Sequence, residues 1–549
     1  MKTRRAMLLL LVSILLATAF LAGCTDRNSG SSGSDSGSSQ SQNQNQNQSQ
    51  NQGDQGSSGG GSAERGDTIK LAWNSQPPTL DTHVTNTNVV RDIARQMYET
   101  LLTFNENYEI TPMLAESYEV SPDGTTVTFK LREGVLFHNG KEMKAEDVVA
   151  SMQRWQQFGT AKAELRESKW EAVSDYVVKL TLDGHLIPIL HRIADPTQAG
   201  SIMPKEVIES ATPSGATEFI GTGPFKLQEW KQDAYIHLTK FENYKPIDLP
   251  TSGLSGKKEA LVDNIFIYFV PDNSTRVNGI ISGEYDYAFE LPFSSYEQLE
   301  RADGVVIDIW PYGFETLVFN KKGVFGNPKL RQAVNHAINK YDLLSLAFVN
   351  EKFFKLEPAY MRAEQVNWYT DAGKENYDVY DVEKAKQLLR EAGYNGQEIV
   401  ILTSSDYQYH YDSAIVAQQA LEAIGMKTKL DVTDWATLLQ KRQDPAQWDM
   451  FFTQFTTVAT PLAYPFLDSR ANYAGWTNNP EIDRYLDAIR AAKTQEEATA
   501  LFKELQAIIW QDLPVINIGM TYFISSYTEK LKGYDEFMGP IFWNTYIEK

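Results

Sequence analysis

Apolar and polar positions along this chain follow two periods, and the mixture changes near its middle. Thr68 to Trp73 alternates as a strand does, and Pro77-Pro78 then forces an extended loop. Val89 to Leu102 has helical spacing. Tyr118-Glu119-Val120, the turn Ser121-Pro122-Asp123-Gly124 and Thr125 to Leu131 read as a hairpin, with Val127, Phe129 and Leu131 on one face. Val148, Val149, Met152 and Trp155 form a helical stripe, and Val177 to Leu182 and Ile265 to Val270 read as strands. From about Trp310 the texture shifts. Leu317 to Phe319 is a short strand, and Leu330, Ala333, Val334, Ala337 and Ile338 mark a helix. A second stripe runs through Val382, Ala385, Leu388, Leu389 and Ala392, with Asp381 as N-cap and Gly393 just past the end. Strand Glu398 to Leu402, a helix from about Asp412 to Gly425, strand Lys429 to Val432, a helix from Asp434 and strand Asp449 to Phe452 complete an alternating series. Alternation of this kind predicts a mainly parallel sheet with covering helices.

The N-terminal segment obeys neither period. Lys2, Arg4 and Arg5 precede an apolar run from Ala6 to Phe20, the order of a secretory leader. The chain's one cysteine, Cys24, follows Leu21-Ala22-Gly23 directly. Ser29 to Gly61 is nearly all Ser, Gly, Gln and Asn, with no apolar side chain to bury, and reads as a flexible tether. Gly56-Ser57-Ser58-Gly59-Gly60 spells a hydrolase nucleophile elbow but lacks the flanking strand and helix that motif needs. The folded part starts near Asp67.

Composition narrows the function classes. A length of 549 residues predicts two or three domains, and 42% hydrophobic residues can build their cores. A formal charge of −20 argues against a nucleic-acid partner. A single cysteine excludes an intrachain disulfide and any thiolate-rich zinc site. The seven His are scattered apart from His185 and His191, so no metal site is expected. No cofactor motif is intact: Gly221-Thr222-Gly223 runs into Pro224.

Several blocks, in order, carry a family resemblance. Leu114-Ala115-Glu116-Ser117-Tyr118-Glu119-Val120-Ser121-Pro122-Asp123-Gly124 continues through Phe129 to Val135, Phe137-His138-Asn139-Gly140 and Ala145-Glu146-Asp147-Val148. Gly221 to Phe225, Leu330 to Ile338 and Ala385 to Tyr394 follow. Together they resemble the family 5 extracellular solute-binding proteins of ABC importers, the peptide- and nickel-binding group. The resemblance implies an α/β, two-lobed clam of the periplasmic-binding-protein type (type II, cluster C-like), with an extra subdomain in its first lobe. The expected division is leader 1–23, lipidated Cys24 and tether 24–66, first lobe 67–311 with the subdomain at about 101–200, second lobe 312–515, and a return segment 516–549. Crossings are expected near Tyr312 to Phe319 and Pro514 to Ile518. Residues 21–24 resemble a lipobox, which implies a thioether lipid on Cys24 and a fatty acyl chain, such as palmitate, on the new amino terminus. The expected place is the extracytoplasmic face of the cell membrane. The expected partners are a small solute, an ABC permease and its ATPase subunits, with the binding protein itself a monomer.

The implied mechanism is capture by lobe closure, not bond breaking. Hairpin, turns and helices explain most of the family blocks, so His138 and Arg331 read as structural. Peptide binders of the family carry Ala-Asp-Tyr-x-Asp-Pro, whose first Asp pairs with a peptide's amino group. Aligned on Pro461, Thr457 stands at that position and Thr460 at the second Asp. A hydroxyl cannot neutralise a buried ammonium as a carboxylate does, so either another acid serves or the ligand lacks that group. Ligand-binding candidates follow strands: Asn74 beside Trp73 and Ser75; Tyr407 and Tyr409 beside Ser404 and Asp406; Trp435; and Gln454, Thr456 and Thr457. Core packing is the even alternative for Trp435 and the stronger one for Trp73. Oligopeptide is the first ligand class, with an oligosaccharide, an opine-like conjugate or a nickel chelate as alternatives. A secreted glycoside hydrolase is the alternative from another class, but no facing carboxylate pair can be singled out.

Overall fold

The computed structural model describes residues 65–549 except 160, 161, 166, 183 and 185. The leader, Cys24, the polar stretch to residue 64 with its elbow-like motif, and His185 lie outside the described residues. One mixed sheet organises the fold. Its strands in chain order are β1 (Thr68–Trp73), β2 (Phe225–Lys231), β3 (Tyr235–Lys240), β4 (Asn264–Phe269), β5 (Tyr287–Leu291) and β6 (Val305–Phe319). They continue as β7 (Phe354–Lys355), β8 (Glu398–Ser404), β9 (Lys427–Thr433), β10 (Met450–Thr456) and β11 (Val515–Thr528). Their spatial order is β9-β8-β10-β6-β11-β5-β1-β4-β3-β2, and β7 adds to β11.

The expectation of a mainly parallel sheet holds for β8, β9 and β10 of the alternating series and is corrected for the centre of the sheet. β8 is parallel to β9 and β10, and β1 to β4 and β5. At the centre, β6 pairs antiparallel with β10 and β11, and β11 with β5. The cause is topological: β6 carries the chain out of the first half and β11 carries it back, so the shared middle must run in opposite directions. Leu317 to Phe319, expected as a short strand, is the end of the 15-residue β6.

Local signals account for most elements. Asp381 accepts from the Lys384 amide and Asp434 from the Thr437 amide, each satisfying an open helix-end donor. The helix Gln408–Ala423 starts four residues ahead of Asp412. Val127, Phe129 and Leu131 are fully buried on one face of a four-stranded antiparallel sheet, Ala115–Val120, Thr126–Leu131, Val177–Thr181 and Lys169–Ser174. The helical reading of Val89 to Leu102 holds only for Asn88–Ala94. Beyond it the chain leaves the helix, and the Gly223 amide bonds to Met97 O at 2.8 Å. A Cβ on Gly221 would lie 2.1 Å from that same oxygen, so the glycine block is a backbone-to-backbone contact.

The two ends of the folded chain meet. Arg65–Gly66, read above as the end of the tether, pairs with Ile547 and Glu548 and so belongs to the fold. Arg95 donates to the carbonyls of Phe537, Met538 and Gly539 at 2.7–3.1 Å. Phe542 and Trp543 are buried, and Phe542 meets the Trp73 ring edge-on at 6.5 Å.

Candidate functional site

The loops after β8, β9 and β10 lie side by side because the strands do. Asp406, after β8, accepts from the Trp435 amide after β9 at 2.7 Å. This bond brings two aromatic residues together: Tyr407, which is 38% exposed, meets the Trp435 ring edge-on at 5.1 Å. Trp435 also stacks on His410 at 5.7 Å, and Tyr409 lies 5.7 Å from Tyr407. Below them His410 Nδ1 bonds the buried Glu315 carboxylate at 2.9 Å. Burial raises the Glu315 pKa, and the His410 contact opposes that rise.

β10 contributes less openly. Gln454 donates to Thr521 Oγ1 on β11 at 3.1 Å, and Thr456 lies opposite Gly313 on β6. Thr457 leaves the sheet, its amide bonding Tyr312 O at 3.1 Å. Its Oγ1 is buried and has no hydrogen-bond partner among the described residues. Thr460 is buried beside Pro461. Trp73 is fully buried and stacked on Phe289 at 4.5 Å, so it packs in the core and does not face the loops. Asn74, one residue on, is half-buried and donates to Glu290 Oε2 at 2.6 Å.

Glu290 and Tyr312 are central residues that the sequence pattern did not single out. Both occupy irregularities in the sheet. The β5–β11 register shifts between Ala288 and Leu291, and Glu290 takes φ +45°, a strained conformation for a residue with a side chain. The β6–β11 register shifts between Pro311 and Gly313, which makes Tyr312 the extra residue. Its ring stacks on Phe523 at 4.2 Å, and Phe523 lies 6.0 Å from Tyr409. Burial, and after it the charge of Glu290, raises the phenol pKa of Tyr312 and Tyr407. Tyr409 is raised by burial first, with Glu290 among the smaller contributors. Geometry links the two groups through Ser525, whose Oγ accepts from the Glu290 amide at 3.2 Å and from Trp310 Nε1 at 3.1 Å, with the Trp310 ring 5.9 Å from that of Tyr312.

Two further contacts join distant chain segments. His191 Nε2 shares a 3.0 Å hydrogen bond with Gln495 Oε1, and Arg362 donates to the Tyr108 hydroxyl at 3.1 Å. His138 bonds Gly223 O and the Gly221 amide, and Arg331 donates to Asp512 O and Phe325 O; both hold backbone in place. Among the described residues no cluster of three or more His, Cys, Asp or Glu is arranged to hold a metal.

The profile of the bacterial extracellular solute-binding proteins, family 5 Middle, matches residues 109–478, more than half of the chain. The chain belongs to this family. A probable peptide ABC transporter periplasmic-binding protein of Sinorhizobium fredii is 27% identical over 514 residues, covering 87% of this chain and 93% of that protein. The glutathione-binding protein GsiB of Escherichia coli K12 is 28% identical over 491 residues, covering 85% and 91%. The periplasmic binding protein DppA of Helicobacter pylori, solved with the peptide STSA, is similar with a TM-score of 0.69 and 27% identity, covering 88% and 99%. The family 5 fold is two-lobed, and the mixed sheet described above is its frame.

Proposed function

We propose that this protein is the substrate-binding component of an ABC importer, capturing an oligopeptide or similar small solute between its lobes. The observation that carries this reading is a continuous run of contacts from Asn74 and Glu290 through Ser525 and Trp310 to Tyr312, and through Phe523 to Tyr409 and Tyr407. The family membership and the peptide and glutathione relatives support it. We divide the lobes at the crossings, 67–311 and 516–549 against 312–515, with the subdomain at about 101–200. Asn74, Tyr407, Tyr409, Trp435, Gln454, Thr456 and Thr457 are the proposed solute contacts. The chain binds and releases and performs no chemistry on the solute; a permease and its ATPase receive it. Cys24 carries a lipid that holds the monomer on the extracytoplasmic face of the membrane.

The unpartnered Thr457 hydroxyl supports a second reading, in which the solute is an oligosaccharide, opine-like conjugate or nickel chelate. A thermal-shift screen over peptides, sugars, opines and nickel chelates separates the two, because a ligand of the folded state raises the melting temperature by mass action. Small-angle scattering with the best hit is expected to show compaction. Sustained turnover of the hit without compaction would refute the binding reading in favour of a hydrolase.

A further inference from the structure

The Glu290 carboxylate is held in the fold without a cation. Its Oε2 accepts from Asn74, and no donor reaches Oε1 among the described residues. The nearby cations are committed elsewhere. Arg276 donates to the carbonyls of Val270, Pro271 and Glu290 and to Asn273 Oδ1, and does not bond the carboxylate. Arg91 is paired with Asp92 at 2.6 Å. Burial is the main cause that raises the Glu290 pKa to about 7; Asp92 adds a like charge, while the Asn74 bond and the more distant charges of Arg276 and Arg91 oppose the rise. The backbone is pinned from both sides, by Arg276 on the Glu290 carbonyl and by Ser525 Oγ on its amide at 3.2 Å. A residue kept at φ +45° with a desolvated, unpaired acid is costly twice over, and such costs persist where a ligand repays them. Glu315 is the contrast: it is fully buried where Glu290 is half-buried, and His410 partners it.

We propose that Glu290 is the anchor for a primary ammonium group of the solute, received between its carboxylate and the rings of Tyr312, Tyr407 and Tyr409. It supplies from the first lobe the acid that Thr457 does not supply from the second. The rings complete the site because aromatic faces attract cations in a desolvated setting. A charge-assisted bond in such a site is strong, and a carboxamide at the same position keeps the Asn74 bond but not the charge. This inference rests on the solute-binding reading and narrows its ligand class to amines.

The test is native mass spectrometry of the mature protein and Glu290→Gln against a library of free-amine tripeptides and its N-acetylated counterpart. Wild type is expected to retain free-amine members and not acetylated ones. Glu290→Gln is expected to bind those members about 10- to 100-fold more weakly, as expected for the loss of a bond to a charged group. Circular dichroism and melting of Glu290→Gln control for folding. Equal retention by Glu290→Gln, or preference of wild type for acetylated members, overturns the proposal. Binding of a solute without an amine in the thermal-shift screen, with no tripeptide retained, overturns this proposal and leaves the binding function standing. Binding of no solute in either assay overturns both.

Discussion

Replacing Glu290 by Gln is expected to stabilise the unliganded protein, and the gain is expected to depend on pH in a defined way. An unfolded Glu side chain titrates near 4.5, and burial raises Glu290 to about 7 in the fold. Below pH 4.5 both states hold the proton, and the residue imposes no penalty. Between pH 4.5 and 7 the unfolded state ionises first, so wild type loses stability as pH rises through that window. Above 7 both are ionised and the penalty is complete. At about 1.4 kcal/mol per pH unit, the gap is worth about 3 kcal/mol. The carboxamide never ionises, and its oxygen still accepts from Asn74. Wild type and Glu290→Gln are therefore expected to match at pH 4, while the variant is the more stable by up to about 3 kcal/mol at pH 8. Urea titrations at the two pH values, followed by tryptophan fluorescence, measure the difference directly. Subtracting the variant cancels other groups with raised pKa, such as Glu536, which burial also pushes to about 7. A variant equal to or less stable than wild type at pH 8 would refute the claim that Glu290 is an unpaid buried charge.

Two more outcomes follow from the same geometry. Gln495→Ala removes the bond to His191 between the proposed lobes, worth about 1 kcal/mol, and is expected to weaken binding of the identified solute about fivefold by calorimetry; an unchanged Kd removes His191–Gln495 as a closing contact. Cys24→Ala is expected to leave the protein with an uncleaved leader or free of the membrane fraction, and processed variant that still partitions into membrane would defeat the lipid-anchor assignment.

Elements with a local cause were legible in the sequence. Asp381 and Asp434 announce helices because their side chains satisfy donors a few residues away. Val127, Phe129 and Leu131 announce a half-buried strand by alternation alone. The loops after β8 and β9 could be named as candidates because strand ends are where open sheets leave side chains exposed. Three features lay beyond reach, each set by distant pairing. The antiparallel centre depends on β6 meeting β11, some 200 residues later. The helix read through Leu102 stops because Gly221 and Gly223 press on the backbone at Met97. Glu290 and Tyr312 owe their orientation to register shifts that no local pattern encodes. One clue was present: Glu290 is the lone charge in the apolar run Tyr287 to Pro292.

The cover that the last residues give to the start of the fold limits the order in which its native contacts can form. Arg95 waits for carbonyls 442 to 444 positions downstream, and β1 lacks part of its cover until Phe542 arrives. Until residues 537–539 are made, Arg95 has Asp92, 3.6 Å away, as its side-chain partner and lacks the three carbonyls it bonds in the complete fold. These contacts of the first half wait for the end of the chain, and contacts of such long sequence separation form slowly. A chain that the proposed leader sends through an export channel would receive that delay from its own topology, with its C-terminal residues as the timer.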